Sequence, residues 1–75
     1  MPSLPVISGA RCIRALERAG YRSIRQRGSH VRLNAANRTP ITVPLHAELD
    51  RGTLRSILRS ADLTVEEFLT LLGSS

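Results

Sequence analysis

Arg25, Arg27, His30 and Arg32 fall on either side of a Gly28-Ser29 pair. This is the part of the chain whose residue types can do chemistry. A guanidinium is a planar five-donor fork that grips a phosphate at two points. An imidazole placed among such groups is a side chain able to accept a proton and return it. Together these groups suit cleavage of RNA. A base removes the proton of a ribose 2′-hydroxyl, the oxygen attacks the neighbouring phosphorus, and the arginines stabilise the extra charge of the pentacovalent transition state. That route requires no metal. The Ser29 hydroxyl or amide and the Gly28 backbone can add hydrogen bonds to a phosphate. The same residues would also serve a surface that only binds phosphates.

No other constellation in the 75 residues competes. One cysteine, Cys12, and two distant histidines, His30 and His46, exclude an internal disulfide and the usual closed zinc site. Cys12 falls on a core-facing helical position and reads as a small packed hydrophobe. Ser29 reads as a turn residue rather than a nucleophile, and Glu48 and Asp50 lie where a helix needs a cap. No glycine-rich loop cradles a phosphate. Neither a metal nor an organic cofactor is expected.

The composition narrows the partner. All 11 cations are arginine, against 6 acids, for a net charge of +5. Such a balance points to an anionic partner and above all to nucleic acid, although an Arg-for-Lys bias can also come from genome composition. Tyr21 and Phe68 are the only Phe, Tyr or Trp residues, which disfavours reading single-stranded bases by stacking. A chain this short buries only about 60% of its extended surface, so a deep pocket for a small-molecule substrate is not expected. No apolar run approaches the roughly 20 residues needed to cross a bilayer. No signal peptide is evident, and the reading is a cytoplasmic protein without membrane association.

The elements that must position the arginines and the histidine follow from periodicity. Ser8 caps a helix from about Gly9 to Ala19, stopped by Gly20, with Cys12, Ile13, Leu16 and Ala19 inward and Arg11, Arg14 and Arg18 along one side. Residues 21–34 read as a hairpin around Gly28-Ser29, a pair suited to a two-residue type II′ turn. Centring the turn there opposes Arg27 to His30, Gln26 to Val31, Arg25 to Arg32 and Ile24 to Leu33. Ile24, Gln26, Val31 and Leu33 then share the inward face, and Arg25, Arg27, His30 and Arg32 the outward one. A slip of one residue would bury three arginines, so the register is well protected. Residues 41–45 form a third strand with Ile41, Val43 and Leu45 inward. Pro44 marks it as an edge or an end, and His46 leans outward if the strand reaches it. Asp50 caps a helix over 51–61 with Leu54, Ile57, Leu58 and Ala61 buried and Arg51, Arg55 and Arg59 on another side. Thr64 and Glu67 form a capping box, with Leu63 and Phe68 as its hydrophobic staple, for a short last helix of about 65–72. The order predicts a single α+β domain over 1–75, with its core in about 6–63 and helices on one face of a three-stranded antiparallel sheet.

Several runs resemble one family: Ser8-Gly9, Ile13 to Tyr21, Arg25-Gln26-Arg27-Gly28-Ser29-His30, Thr42-Val43-Pro44-Leu45-His46, and Gly52-Thr53-Leu54-Arg55-Ser56-Ile57-Leu58. Together they are similar to the HicA (YcfA-like) toxins of bacterial type II toxin–antitoxin systems. The likeness covers about residues 6–63. It departs where the family often has Lys in place of Arg and Pro at the position of Arg51. The resemblance implies a fold like a double-stranded-RNA-binding domain, α-β-β-β-α, and activity as an mRNA interferase. It makes His30, in Gly-Ser-His, the essential residue, and it implies a HicB-type antitoxin that blocks this face.

Two readings of other classes use the same surface. One is a non-catalytic module binding double-stranded RNA through its phosphates; the other is a module that docks an acidic protein. His30 discriminates them, because a pure binder needs only the arginines there.

Overall fold

A computed structural model describes residues 3–73. The element order is α1 (Gly9–Arg18), β1 (Arg22–Arg27), β2 (His30–Asn34), β3 (Ile41–Pro44), α2 (Arg51–Ala61) and α3 (Val65–Gly73). The strands form one antiparallel sheet in the order β1-β2-β3, so β2 is central. α1 and α2 pack on one face of it, and α3 packs against α1. The fold class and the order of elements are those read from the sequence. Among the described residues, no helix is long and apolar enough to cross a membrane.

The helices start where side chains satisfy their free amides. Ser8 Oγ accepts from Arg11 N at 3.1 Å, and Asp50 Oδ1 accepts from Thr53 N at 2.7 Å. At α3 the capping box closes both ways: Thr64 N donates to Glu67 Oε1 at 2.8 Å, and Glu67 N donates to Thr64 Oγ1 at 3.0 Å. Those amide bonds hold the Asp50 and Glu67 carboxyls below their ordinary range. α2 ends at Asp62, in the left-handed region at φ 57°, and the Arg38 guanidinium donates to the Ala61 carbonyl at 2.8 Å.

The core lies between the sheet and the helices. Cys12, Ala15 and Leu16 of α1 meet Val31, Leu33, Ile41 and Val43 of the sheet, Leu54, Ile57, Leu58 and Ala61 of α2, and Phe68 of α3. In α1 the buried stripe includes Ala15, while Ile13 is only half-buried.

Two expectations about the strands are corrected. Ile24 does not oppose Leu33. A bulge lies between Ser23 and Arg25, Ser23 takes that place, and Ile24 is 58% exposed. The straight register would turn Arg22 inward and Tyr21 outward. The extra residue reverses both, so Tyr21 is buried and its hydroxyl donates to the Thr39 carbonyl at 2.9 Å. Exposing one isoleucine forgoes about 1.5–3 kcal/mol, whereas burying an unpaired guanidinium costs several kcal/mol, so the bulge wins. Leu45 is the second correction. The strand ends at Pro44, and Leu45 is 37% exposed rather than core. Every residue of β1 is exposed, Gln26 included, because no helix reaches over this edge strand fully enough to bury it.

Candidate nucleic-acid interface and active site

The site is built outward from the hairpin turn. Gly28 has φ 55°, a conformation that costs an L side chain energy and glycine little. Ser29 has no such left-handed backbone, so the pair matches the type II′ pattern. Gln26 Nε2 donates to the Gly28 carbonyl at 2.9 Å, and Leu45 N donates to the Ser29 carbonyl at 2.6 Å, which ties the turn to the chain leaving β3. From this turn the ladder runs as expected, with Arg27 opposite His30 and Arg25 opposite Arg32. On the other side of β2, His30 opposes Pro44 and Arg32 opposes Thr42. His30 therefore opens the central strand, with a neighbour on each side.

That neighbouring strand is fixed from the helix layer. Gly9 N donates to the His46 carbonyl at 2.9 Å, and a Cβ on Gly9 would run into the Pro44 carbonyl. The start of α1 thus lies directly against the end of β3, next to the residue that opposes His30.

Arg25, Arg27, His30, Arg32 and Thr42 together line a shallow depression of about 160 Å³ on the face away from the helices. Directly opposed side chains on a sheet stand roughly 5 Å apart at Cβ. Residues two apart on one strand are separated by roughly 7 Å, so a single phosphate can reach several of these groups. Arg25 and Arg32 are like charges placed opposite each other, which is unfavourable in an empty sheet. Arg32 Nη1 donates to Thr42 Oγ1 at 3.0 Å, which orients that guanidinium and leaves its other donors free to face an anion.

The sequence-predicted residues divide accordingly. Arg25, Arg27, His30 and Arg32 converge on the depression. Gly28 and Ser29 do not line it and instead make the turn that joins Arg27 to His30. Thr42 lines the depression as well, consistent with its alternation against inward Ile41 and Val43, but its residue type alone does not mark it for the site. His46 lies beyond the end of β3, so strand parity does not reach it. Cys12 is buried and its thiol is pushed up to about 12 by desolvation, which leaves it protonated and unreactive. Among the described residues no group of three His, Cys, Asp or Glu side chains is arranged to hold a metal ion.

The fold and this surface define a small α+β protein with an open, arginine-rich sheet face and one histidine at its centre. Residues 9–63 match the family described as the HicA toxin of bacterial toxin-antitoxin, and the chain belongs to that family. The matched span runs from the start of α1 past the end of α2 and contains the whole sheet face; α3 lies outside it. A comparison with curated proteins found no match.

Proposed function

We propose that the protein is an endoribonuclease toxin that cleaves mRNA and that a HicB-type antitoxin inhibits it by covering the outward sheet face. The observation that carries this reading is the convergence of His30 with Arg25, Arg27 and Arg32 around one phosphate-sized depression. Membership of a toxin family supports it, since a toxin of a toxin–antitoxin system implies a partner antitoxin.

In the proposed reaction the RNA supplies its own nucleophile. His30 accepts the proton of the 2′-hydroxyl, and the freed oxygen forms a bond to the adjacent phosphorus. The bond from phosphorus to the 5′-oxygen of the next nucleotide breaks, and that oxygen leaves with a proton returned from the imidazolium. Arg25, Arg27 and Arg32 bind the phosphate and stabilise its added negative charge. Thr42 is a positioning residue: it holds the Arg32 guanidinium across the strand pair. The Gly28 and Ser29 amides lie two residues and one residue before His30, where they can contact a neighbouring phosphate.

The test is the chemistry of the product ends. The expected products carry a 2′,3′-cyclic phosphate and a 5′-hydroxyl, formed equally in excess chelator. A substrate with a single deoxynucleotide 5′ to the scissile phosphate should resist cleavage at that bond. Products with 5′-phosphate ends, or activity abolished by chelator, would overturn the one-histidine mechanism.

A further inference from the structure

A second arginine-rich surface lies on the helical side of the molecule. Arg51, Arg55 and Arg59 are exposed and follow one another at single-turn spacing along α2, a rise of about 6 Å per step. Together with Leu4 of the lead-in and with Leu63 and Val65 at the α2–α3 connection they line a groove of about 440 Å³, to which Ser3 and Thr64 also contribute. Those three apolar side chains pack against the core and remain partly open to solvent. Among the described residues, no acidic side chain lines the groove.

We propose that this groove docks an acidic amphipathic helix of a partner protein, one with carboxylates at every fourth residue beside a strip of apolar residues. Carboxylates at that spacing also rise about 6 Å per step, so they match the arginine ladder one for one. The apolar strip covers Leu4, Leu63 and Val65, in the manner of a helix laid in a groove. Charge decides against the competing occupants. A second copy of this chain carries +5 and would bring arginine to arginine. RNA would satisfy the guanidiniums but leave the apolar side chains facing a hydrated backbone. The proposal is independent of the ribonuclease reading, since the groove shares no lining residue with the His30 depression.

The probe is a labelled, alanine-based helical peptide with Glu at every fourth position and Leu beside each Glu, titrated by fluorescence anisotropy. A Glu→Gln peptide, a Leu→Ser peptide and a single-stranded oligouridylate serve as comparisons. The Arg51→Gln/Arg55→Gln/Arg59→Gln protein is expected to bind the Glu/Leu peptide at least about tenfold more weakly than wild type. Arg25→Gln/Arg27→Gln is expected to weaken it by less than about threefold. Both comparison peptides should bind wild type more weakly than the probe. Circular dichroism checks the triple variant, and Arg55→Gln alone repeats the test if the triple variant is unfolded. Equal losses in both variants would reduce the effect to diffuse attraction and overturn the proposal. So would a larger loss of oligouridylate than of peptide on changing α2, which would make the groove a nucleic-acid track. Wild type that self-associates in sedimentation, with the triple variant monomeric, would assign the groove to a second copy and overturn it as well.

Discussion

Two surfaces of this molecule each carry three arginines, yet their geometry directs them to different chemistry. On the sheet, Arg25, Arg27 and Arg32 come from two strands and converge on one depression with His30 among them. On α2, Arg51, Arg55 and Arg59 come from one element and run in a line along a groove that also holds apolar side chains. Strand pairing brings residues distant in sequence to within one phosphate of each other. The helix sets its three arginines in one line, with the first and third about 12 Å apart along the axis, so they form a track rather than a cluster. Residue type sets affinity for anions, and the element that carries the residues sets whether charge is focused on one atom or spread along a track.

The largest expected effect separates focused from spread charge. Replacing His30 with Ala should lower RNA cleavage by about 10²–10⁴-fold, the usual contribution of a general acid–base group. As an exposed residue His30 contributes little packing, so the thermal midpoint should stay close to wild type. A folded His30→Ala protein that cleaves at wild-type rate would remove the distinction between the two surfaces.

A pair of glycines asks which surface depends on the helix–sheet junction. Ala at Gly9 places a Cβ against the Pro44 carbonyl, beside the residue that opposes His30. It should cost about 1–3 kcal/mol of stability, as overpacking does, and should lower cleavage in the remaining folded protein. Ala at Gly52, at the start of α2, meets nothing nearer than Asp50 Oδ1 at 3.5 Å. There the gain in helix propensity should raise stability by about 0.4–1 kcal/mol. Urea denaturation of both variants checks the contrast.

Smaller effects distinguish the three sheet-face arginines one by one. Gln at Arg25, Arg27 or Arg32 should weaken RNA binding across sequences and lower the slope of log affinity against log salt by about 1 for each phosphate no longer neutralised. An unchanged slope for all three would exclude them from the RNA surface.

Acid should act on the helical side first. Backbone amides of Thr53 and Thr64 hold the Asp50 and Glu67 carboxyls below their ordinary values. The stabilisation is therefore fully present above the ordinary carboxylate range and is lost as pH falls through that range and below it. Thermal midpoints of wild type should drop between about pH 5 and pH 3. The drop should be smaller in Asp50→Asn, which lacks the titrating cap of α2.

Much of this arrangement was legible in the chain. The heptad-like spacing of Leu54, Ile57, Leu58 and Ala61 defined the buried side of α2, and the Thr64–Glu67 box defined the start of α3. Near the hairpin, Gly28 fixed the turn and alternation fixed the facing of Arg25, Arg27, His30 and Arg32, because a two-residue turn sets register locally. Further from the turn the simple alternation breaks, at the bulge between Ser23 and Arg25. The bulge at Ile24 shows in no local spacing, and it follows from competition between Tyr21 and Arg22 for one inward position. Leu45 misled for a similar reason: its parity is inward, but whether an inward residue is covered depends on how far the helices extend over the sheet.

The sequence by itself determined the type and order of the elements, the caps that begin each helix, and the outward grouping of the arginines with His30. Each of these depends on interactions within a few residues or on simple periodicity. Only the tertiary structure decided that Thr42 joins the sheet-face cluster from the third strand, that Gly9 sets the end of that strand, and that Leu4 lines one groove with Leu63, Val65 and the α2 arginines. Those are contacts between segments far apart in the chain, and they are set by how well the packed layers fill space rather than by any local rule.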